Sequence, residues 1–456
     1  MTTNTYLSKS VSTLGSRRKW GYSLWVKRSG TVEDTQSILM GYEDANNYTK
    51  CQFNGTDYIE FSNVYGGSTT GQKITQAKYK DVNAWYHVYL IWNTLDPATA
   101  DDRMQIWVNG SRITEFSTSS NPGATTESAW NANPTTHYIG ANDAGSNHLW
   151  NGYMAQICST DGTAPAVTAF GSTDATTGEW KPKSDGEIRS GVTFGTNGFL
   201  LTFENASQLG YDYQTSDRSG STFDYTKNGD GFKSQTNPSN IFATAETRYK
   251  YVSNFSWYTG NTKFINTGSW AAAFWNMAPT TGKWYFEAKL ITIGSGAMFG
   301  IASVDEIAQV YNTGFNVGEG TYQYAYNANG NKKSADSETA FGNTYTSGDI
   351  MGCAFDLDNG KIYFAKNGTW ENSGDPTSGS TGTGAAYSVT TGGGYPYTPS
   401  LATYGSGHWA VNTGEGWFGG TQVSSANADG AGQGQMEYTV PTGYYTMCTK
   451  NLKTYG

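Results

Sequence analysis

Gly348-Asp349-Ile350-Met351-Gly352-Cys353-Ala354-Phe355-Asp356-Leu357-Asp358-Asn359-Gly360-Lys361-Ile362-Tyr363-Phe364-Ala365-Lys366-Asn367-Gly368 holds two apolar runs, each ended by Asn-Gly. Asn and Gly accept the φ > 0 conformations of a two-residue hairpin turn, so Asn359-Gly360 predicts a β-hairpin and Asn367-Gly368 ends its second strand. The same pattern extends outward. Gly282-Lys283-Trp284-Tyr285-Phe286-Glu287-Ala288-Lys289-Leu290 places Trp284, Phe286, Ala288 and Leu290 on one face of a strand and Tyr285, Glu287 and Lys289 on the other. Further back, Tyr22, Leu24 and Val26 share a face. The run Trp85-Tyr86-His87-Val88-Tyr89-Leu90-Ile91-Trp92 is apolar or aromatic on both faces, as suits the central strand of a sandwich. Arg103-Met104-Gln105-Ile106-Trp107-Val108 alternates into Asn109-Gly110, a second hairpin signal.

Gly contributes 57 of the 456 residues and aromatics 15 %, whereas charged residues contribute only 15 %, against about 25 % in an average domain. No stretch carries Ala, Leu, Glu and Lys at the 3.6 spacing of a long helix. The length fits two or three domains, each large enough to close a core without disulfides or metals. The reading is all-β: two concanavalin/jelly-roll-type antiparallel β-sandwiches, 1–165 and 270–456, joined by an irregular connector with short strands over 166–269.

The net charge of −9, from 29 Lys+Arg against 38 Asp+Glu, argues against nucleic acid, whose binding needs surplus positive charge, and against an anionic membrane surface. No apolar run is long enough to span a bilayer. The N-terminal stretch has no apolar signal region, so the expectation is synthesis and assembly in a cytoplasm unless a particle carries the protein out. Cys51, Cys158, Cys353 and Cys448 stand singly, which predicts neither a zinc site nor a disulfide scaffold.

Three resemblances follow. Gly282 to Glu287, Phe299-Gly300-Ile301-Ala302 and the hairpin from Gly348 to Gly368 resemble, in order and spacing, the SPRY family. That implies two packed antiparallel sheets binding protein or peptide partners through loops, without catalytic apparatus. Ala84-Trp85-Tyr86-His87-Val88, Gln105 to Gly110 and Gly152-Tyr153-Met154-Ala155 are similar to laminin-G or concanavalin-like jelly rolls. Across nearly the whole chain, Arg17-Arg18-Lys19-Trp20, Ser23 to Arg28, Asp161 to Ala164, Phe170-Gly171, Gly178 to Lys183, Gly195 to Phe199 and the ending Pro441 to Leu452 resemble structural proteins of tailed phages of marine bacteria. That resemblance implies a virion, other virion proteins as partners and a homo-oligomer. Members often continue beyond the equivalent of Gly456, which leaves open a full fibre or a short particle-surface protein.

Concanavalin-like folds also host glycosidases, which need two carboxylates about 5–9.5 Å apart. Asp336-Ser337-Glu338 is the nearest approach and lacks a strand period. His87, His137, His148 and His408 pair with no Cys or Ser in a nucleophile motif. Calcium, which prefers several oxygen ligands, has loop candidates at Asp44, Asn46 and Asp143, where Asx turns explain the same residues. The candidate ligand-binding residues are aromatic, because Trp and Tyr offer faces to sugar rings and anchors to protein partners: Tyr311, Phe315, Tyr322, Tyr324, Tyr326, Trp370, Trp409 and Trp417. The expectation is a non-enzymatic virion surface protein, a tail fibre, adhesin or decoration, that binds a host cell-surface glycan or protein. The alternatives are a glycan depolymerase on the N-terminal module and a cellular SPRY adaptor.

Overall fold

Side-chain alternation does in space what it does in the sequence. In the strand Lys19–Arg28, the side chains of Trp20, Tyr22, Leu24 and Val26 are buried on the inner face of a sheet. The computed structural model describes residues 5–30, 34–95, 99–142, 147–219, 223–247, 255–307, 316–391 and 394–456. The chain divides into two units, Met1–Lys233 and Ser234–Gly456.

Among the described residues of the first unit, one sheet runs Phe116–Ser120, Ser68–Lys78, Tyr58–Tyr65, Asn47–Phe53, Gln36–Asp44, Thr135–Ile139, Tyr6–Val11 and Thr226–Asn228. The second runs Phe199–Leu201, Gly152–Asp161, Lys19–Arg28, Tyr86–Asn93, Met104–Val108 and Ser111–Arg112. Trp20, Trp92, Phe61, Leu39 and Ile59 meet between them in the core. At Asn109-Gly110 both residues have positive φ, 49° and 78°, and Val108 pairs with Ser111: the two-residue turn expected there.

Tyr86–Asn93 buries both faces, as its composition predicts. Its outer side chains Tyr89 and Ile91 pack under Val167, Phe170, Ile188, Val192, Phe194 and Leu200. Much of the stretch expected to be a connector is therefore a third layer on the first sandwich. It includes the helix Asp185–Gly191, started by a capping box in which Ser184 and Glu187 bond each other's backbone N–H. Phe223 and Tyr225 complete the first core, whereas Ala243 and Ala245 join the second. The 166–269 segment is thus divided between the units and forms no separate body.

In the second unit, one sheet runs Phe255–Tyr258, Lys263–Asn266, Gly407–Asn412, Lys283–Thr292, Ile350–Asp356, Lys361–Lys366 and Thr369–Trp370. The other runs Ala271–Phe274, Tyr397–Tyr404, Gly296–Ser303, Gln323–Asn327, Asn331–Ser334 and Ser337–Ala340. Trp284, Phe286, Phe299, Phe355, Phe364 and Trp409 fill the space between. The Ile350–Lys366 hairpin forms, but with a different turn. Asp356 pairs with Lys361, so four residues make the loop, and only Gly360 of the Asn-Gly pair has positive φ, 63°. Asp356 Oδ1 accepts from the backbone N–H of Asp358 and Asn359, which stabilises this longer loop. On the outer face of the same sheet, Tyr285, Ala354 and Tyr363 lie under Met436, Val440 and Tyr444.

All four cysteines are buried and free. Trp180, in the third layer of the first unit, lies against Gly110 and Gly171, where a Cβ would fall 2.4 and 2.5 Å from its ring. Trp180→Ala should lower the unfolding free energy of that unit by about 3 kcal/mol, read by urea denaturation; an unchanged midpoint would show that this layer contributes nothing.

Candidate functional site: an aromatic cleft on the second unit

The outer face of Lys283–Thr292 carries Tyr285 and Glu287, both buried. Beside it, Asn367-Gly368 turns Lys361–Lys366 back into Thr369–Trp370 with both φ positive, 49° and 80°, and Ala365 pairs with Trp370. Trp370 stands edge-on to Tyr285, with centroids 6.2 Å apart, and to Tyr363 at 6.5 Å. Gly368 also makes room for a neighbour: a Cβ there would lie 2.5 Å from the ring of Tyr438. Tyr438 arrives on the C-terminal segment that covers the sheet. Tyr444, on the same segment, donates its hydroxyl to the Pro376 carbonyl at 2.9 Å. Between this segment and the sheet lies a cleft of about 500 Å³ lined by Tyr285, Trp370, Tyr438, Pro376, Pro441 and Val440, with Thr377, Thr439, Thr442 and Asp375.

Glu287 sits beneath it. Oε1 accepts from the Tyr285 hydroxyl and from Tyr438 N–H, each at 2.9 Å, and Oε2 accepts from Glu437 N–H at 2.8 Å. One buried carboxylate thus bonds both the floor of the cleft and its C-terminal wall. Burial pushes its pKa up to about 7, and the three donors oppose that rise.

Of the residues singled out in the sequence, Trp370 lines the cleft. Tyr324, Tyr326 and Trp409 are core residues, which corrects their assignment as ligand contacts. Tyr324 and Tyr326 share the inner face of Gln323–Asn327, and the Trp409 indole N–H donates to the Ala402 carbonyl at 3.2 Å. Tyr322 is half-buried and stacks on Tyr395 at 4.2 Å, and Trp417 is half-buried in the short hairpin Trp417–Phe418 with Thr421–Gln422; neither lines the cleft. Tyr311, Phe315 and Asp143 fall outside the described residues. Tyr438, Pro441 and Pro376 are the contributions that the sequence reading missed.

Asp44 Oδ1 accepts from Asn46 N–H at 2.7 Å and from the Asn47 amide at 3.1 Å, capping the turn between two strands. Among the described residues no group of three or more His, Cys, Asp or Glu is placed to hold a metal ion. Adding EDTA should leave the melting temperature of the full chain unchanged; a fall would show a stabilising divalent cation.

The Ser–His contact in the first unit has the wrong polarity for nucleophile activation. Ser23 Oγ lies 2.8 Å from His87 Nε2, but the Trp180 indole N–H donates to Nδ1 at 3.0 Å. With Nδ1 an acceptor, Nε2 carries the proton and donates to Ser23. Burial holds the His87 pKa down near 3, so the ring is neutral. The acid pair divides likewise: Asp336 meets Lys333 at 2.9 Å, while Glu338 accepts from the amides of Asn327, Asn329 and Asn331.

Residues 2–158 match the model of the concanavalin A-like lectin/glucanases superfamily, and residues 283–387 match the SPRY domain model. A concanavalin-like module thus precedes a SPRY module. Solved structures similar to parts of the chain include the SPRY domain of human HERC1 (16 % identity, 33 % of this chain and 87 % of that one, TM-score 0.26). Another is a human SPRY domain (18 %, 35 % and 94 %, 0.26). A third is the heptameric SAP-like pentraxin from Limulus polyphemus (18 %, 36 % and 74 %, 0.27). A search of curated proteins returns no match.

The folded pKa of Glu287 lies above its ordinary 4.5. Its contribution to stability is therefore complete below that value and is lost as pH rises through about 7, a difference on the order of 3 kcal/mol. Melting of the second unit should fall between about pH 5 and about pH 8, and Glu287→Gln should flatten that dependence. An identical pH slope in the variant would assign the effect elsewhere.

Proposed function

We propose that the protein is a non-catalytic binding protein of a tailed-phage particle and that the aromatic cleft holds a host cell-surface glycan. The observation that carries the binding role is the cleft itself: Trp370 and Tyr438 border a concave site on the outer face of a sheet whose neighbouring apolar side chains are covered. Sugars stack their C–H faces on such rings, and the threonine hydroxyls of the lining supply hydrogen-bond partners. Non-catalytic action is supported by the polarity of the Ser23–His87 contact. The particle setting, with virion proteins and further copies of the chain as partners, rests on the resemblance of the connector and terminal motifs to phage structural proteins. A calcium ion is no part of this reading.

Trp370→Ala should abolish binding of the purified protein to host cells or to host-derived glycans at a temperature where circular dichroism shows the variant still folded. Unaltered binding would move the site elsewhere. Mass spectrometry of purified particles tests the setting, and absence of the chain from them would remove it. The SPRY match at residues 283–387 supports a second reading, a peptide-binding adaptor. It predicts a protein partner competed by peptide and not by sugar.

A further inference from the structure

We infer that the cleft selects a glycan carrying a free amine, a hexosamine unit, over neutral and acidic sugars; this rests on its reading as the glycan site. Among the described residues of the lining Asp375 is the one carboxylate, and they include no Lys, Arg or His. Asp375 Oδ1 accepts from the backbone N–H and hydroxyl of Thr377 at 2.9 and 2.6 Å. Oδ2 takes no hydrogen bond among the described residues. Glu287 lies one hydrogen bond below Tyr285 and Tyr438, but with its pKa pushed up to about 7 it is neutral in mildly acidic solution, which leaves the charge of the lining to Asp375.

Acidic residues also lie near Tyr438. Its phenol is held above its ordinary pKa first by burial, then by Glu437, Glu287 and Asp349. Of the lysines on the neighbouring strands, Lys366 bonds Asp349 and the Thr344 carbonyl, and Lys283 pairs with Asp356. An ammonium group is drawn to the faces of Trp and Tyr by the ring quadrupole and to a carboxylate by charge. A uronic acid or sulfated sugar would meet like charge from Asp375, and a neutral sugar would gain stacking alone. A volume of about 500 Å³ admits a short oligosaccharide.

Chitosan, chitin and cellulose oligomers share one glucan backbone and differ at one ring position, which bears an amine, an acetamide or a hydroxyl. They can be titrated into the full chain by calorimetry in mildly acidic buffer, where the amine is charged. The chitosan oligomer should bind about tenfold more tightly than the other two. Asp375→Asn, which keeps the turn-capping oxygen, should remove that advantage, and Trp370→Ala should remove binding of all three. Equal affinity for the three oligomers would overturn the amine selectivity and leave the glycan reading standing. Binding of none of them would overturn the selectivity, and the glycan reading with it if host-derived glycans also fail. Tighter binding of a lysine-rich peptide than of chitosan would overturn the selectivity and reassign the cleft to a protein ligand.

Discussion

Each sandwich contains a sheet that is apolar on both faces, and most of the rest of the molecule answers that constraint. Two sheets bury one face of each other, but an outward row of Tyr and aliphatic side chains still needs cover. In the first unit, residues 164–200 cover Tyr89, Ile91 and Cys158. In the second, Met436, Val440 and Tyr444 cover Tyr285, Ala354 and Tyr363. The cleft lies along the margin of that second cover. Trp370 and Tyr438 belong to the same aromatic layer as the buried rings, with part of their surface left open to a ligand.

Glu287 makes this arrangement specific. Strand alternation directs it to the outer face, where the C-terminal cover takes it out of water. A buried carboxylate without partners would oppose the fold. The Tyr285 hydroxyl and the backbone N–H groups of Glu437 and Tyr438 meet it instead. The hydrogen bonds that satisfy the carboxylate therefore fix the position of Tyr438 relative to Trp370. Fold and site share one polar contact, whereas the negative charge of the cleft lining comes from Asp375.

The sequence shows the strand faces and both two-residue Asn-Gly turns, because alternation and positive φ are local properties. Asn359-Gly360 was less transparent: Asp356, three residues earlier, bonds the loop backbone and lengthens the turn. The third layer over the first sandwich has the sequence of a connector, because Val167, Phe170, Ile188 and Phe194 follow no common period. The Ser184–Glu187 capping box was the local sign that this segment is ordered. Trp370 was found by its position after a hairpin turn. Tyr438 and Pro441 come from a distant, Gly-rich stretch, and only the fold brings them to it. Parity within their strand was the available clue that Tyr324 and Tyr326 face inward together.

Hydrogen–deuterium exchange of the full chain with and without chitosan oligomer tests the central claim directly, since it locates the ligand without altering the protein. Protection should concentrate in residues 365–377 and 437–442, the two walls of the cleft. Protection confined to the Tyr322–Tyr395 end of the second unit, or to the first unit, would contradict it.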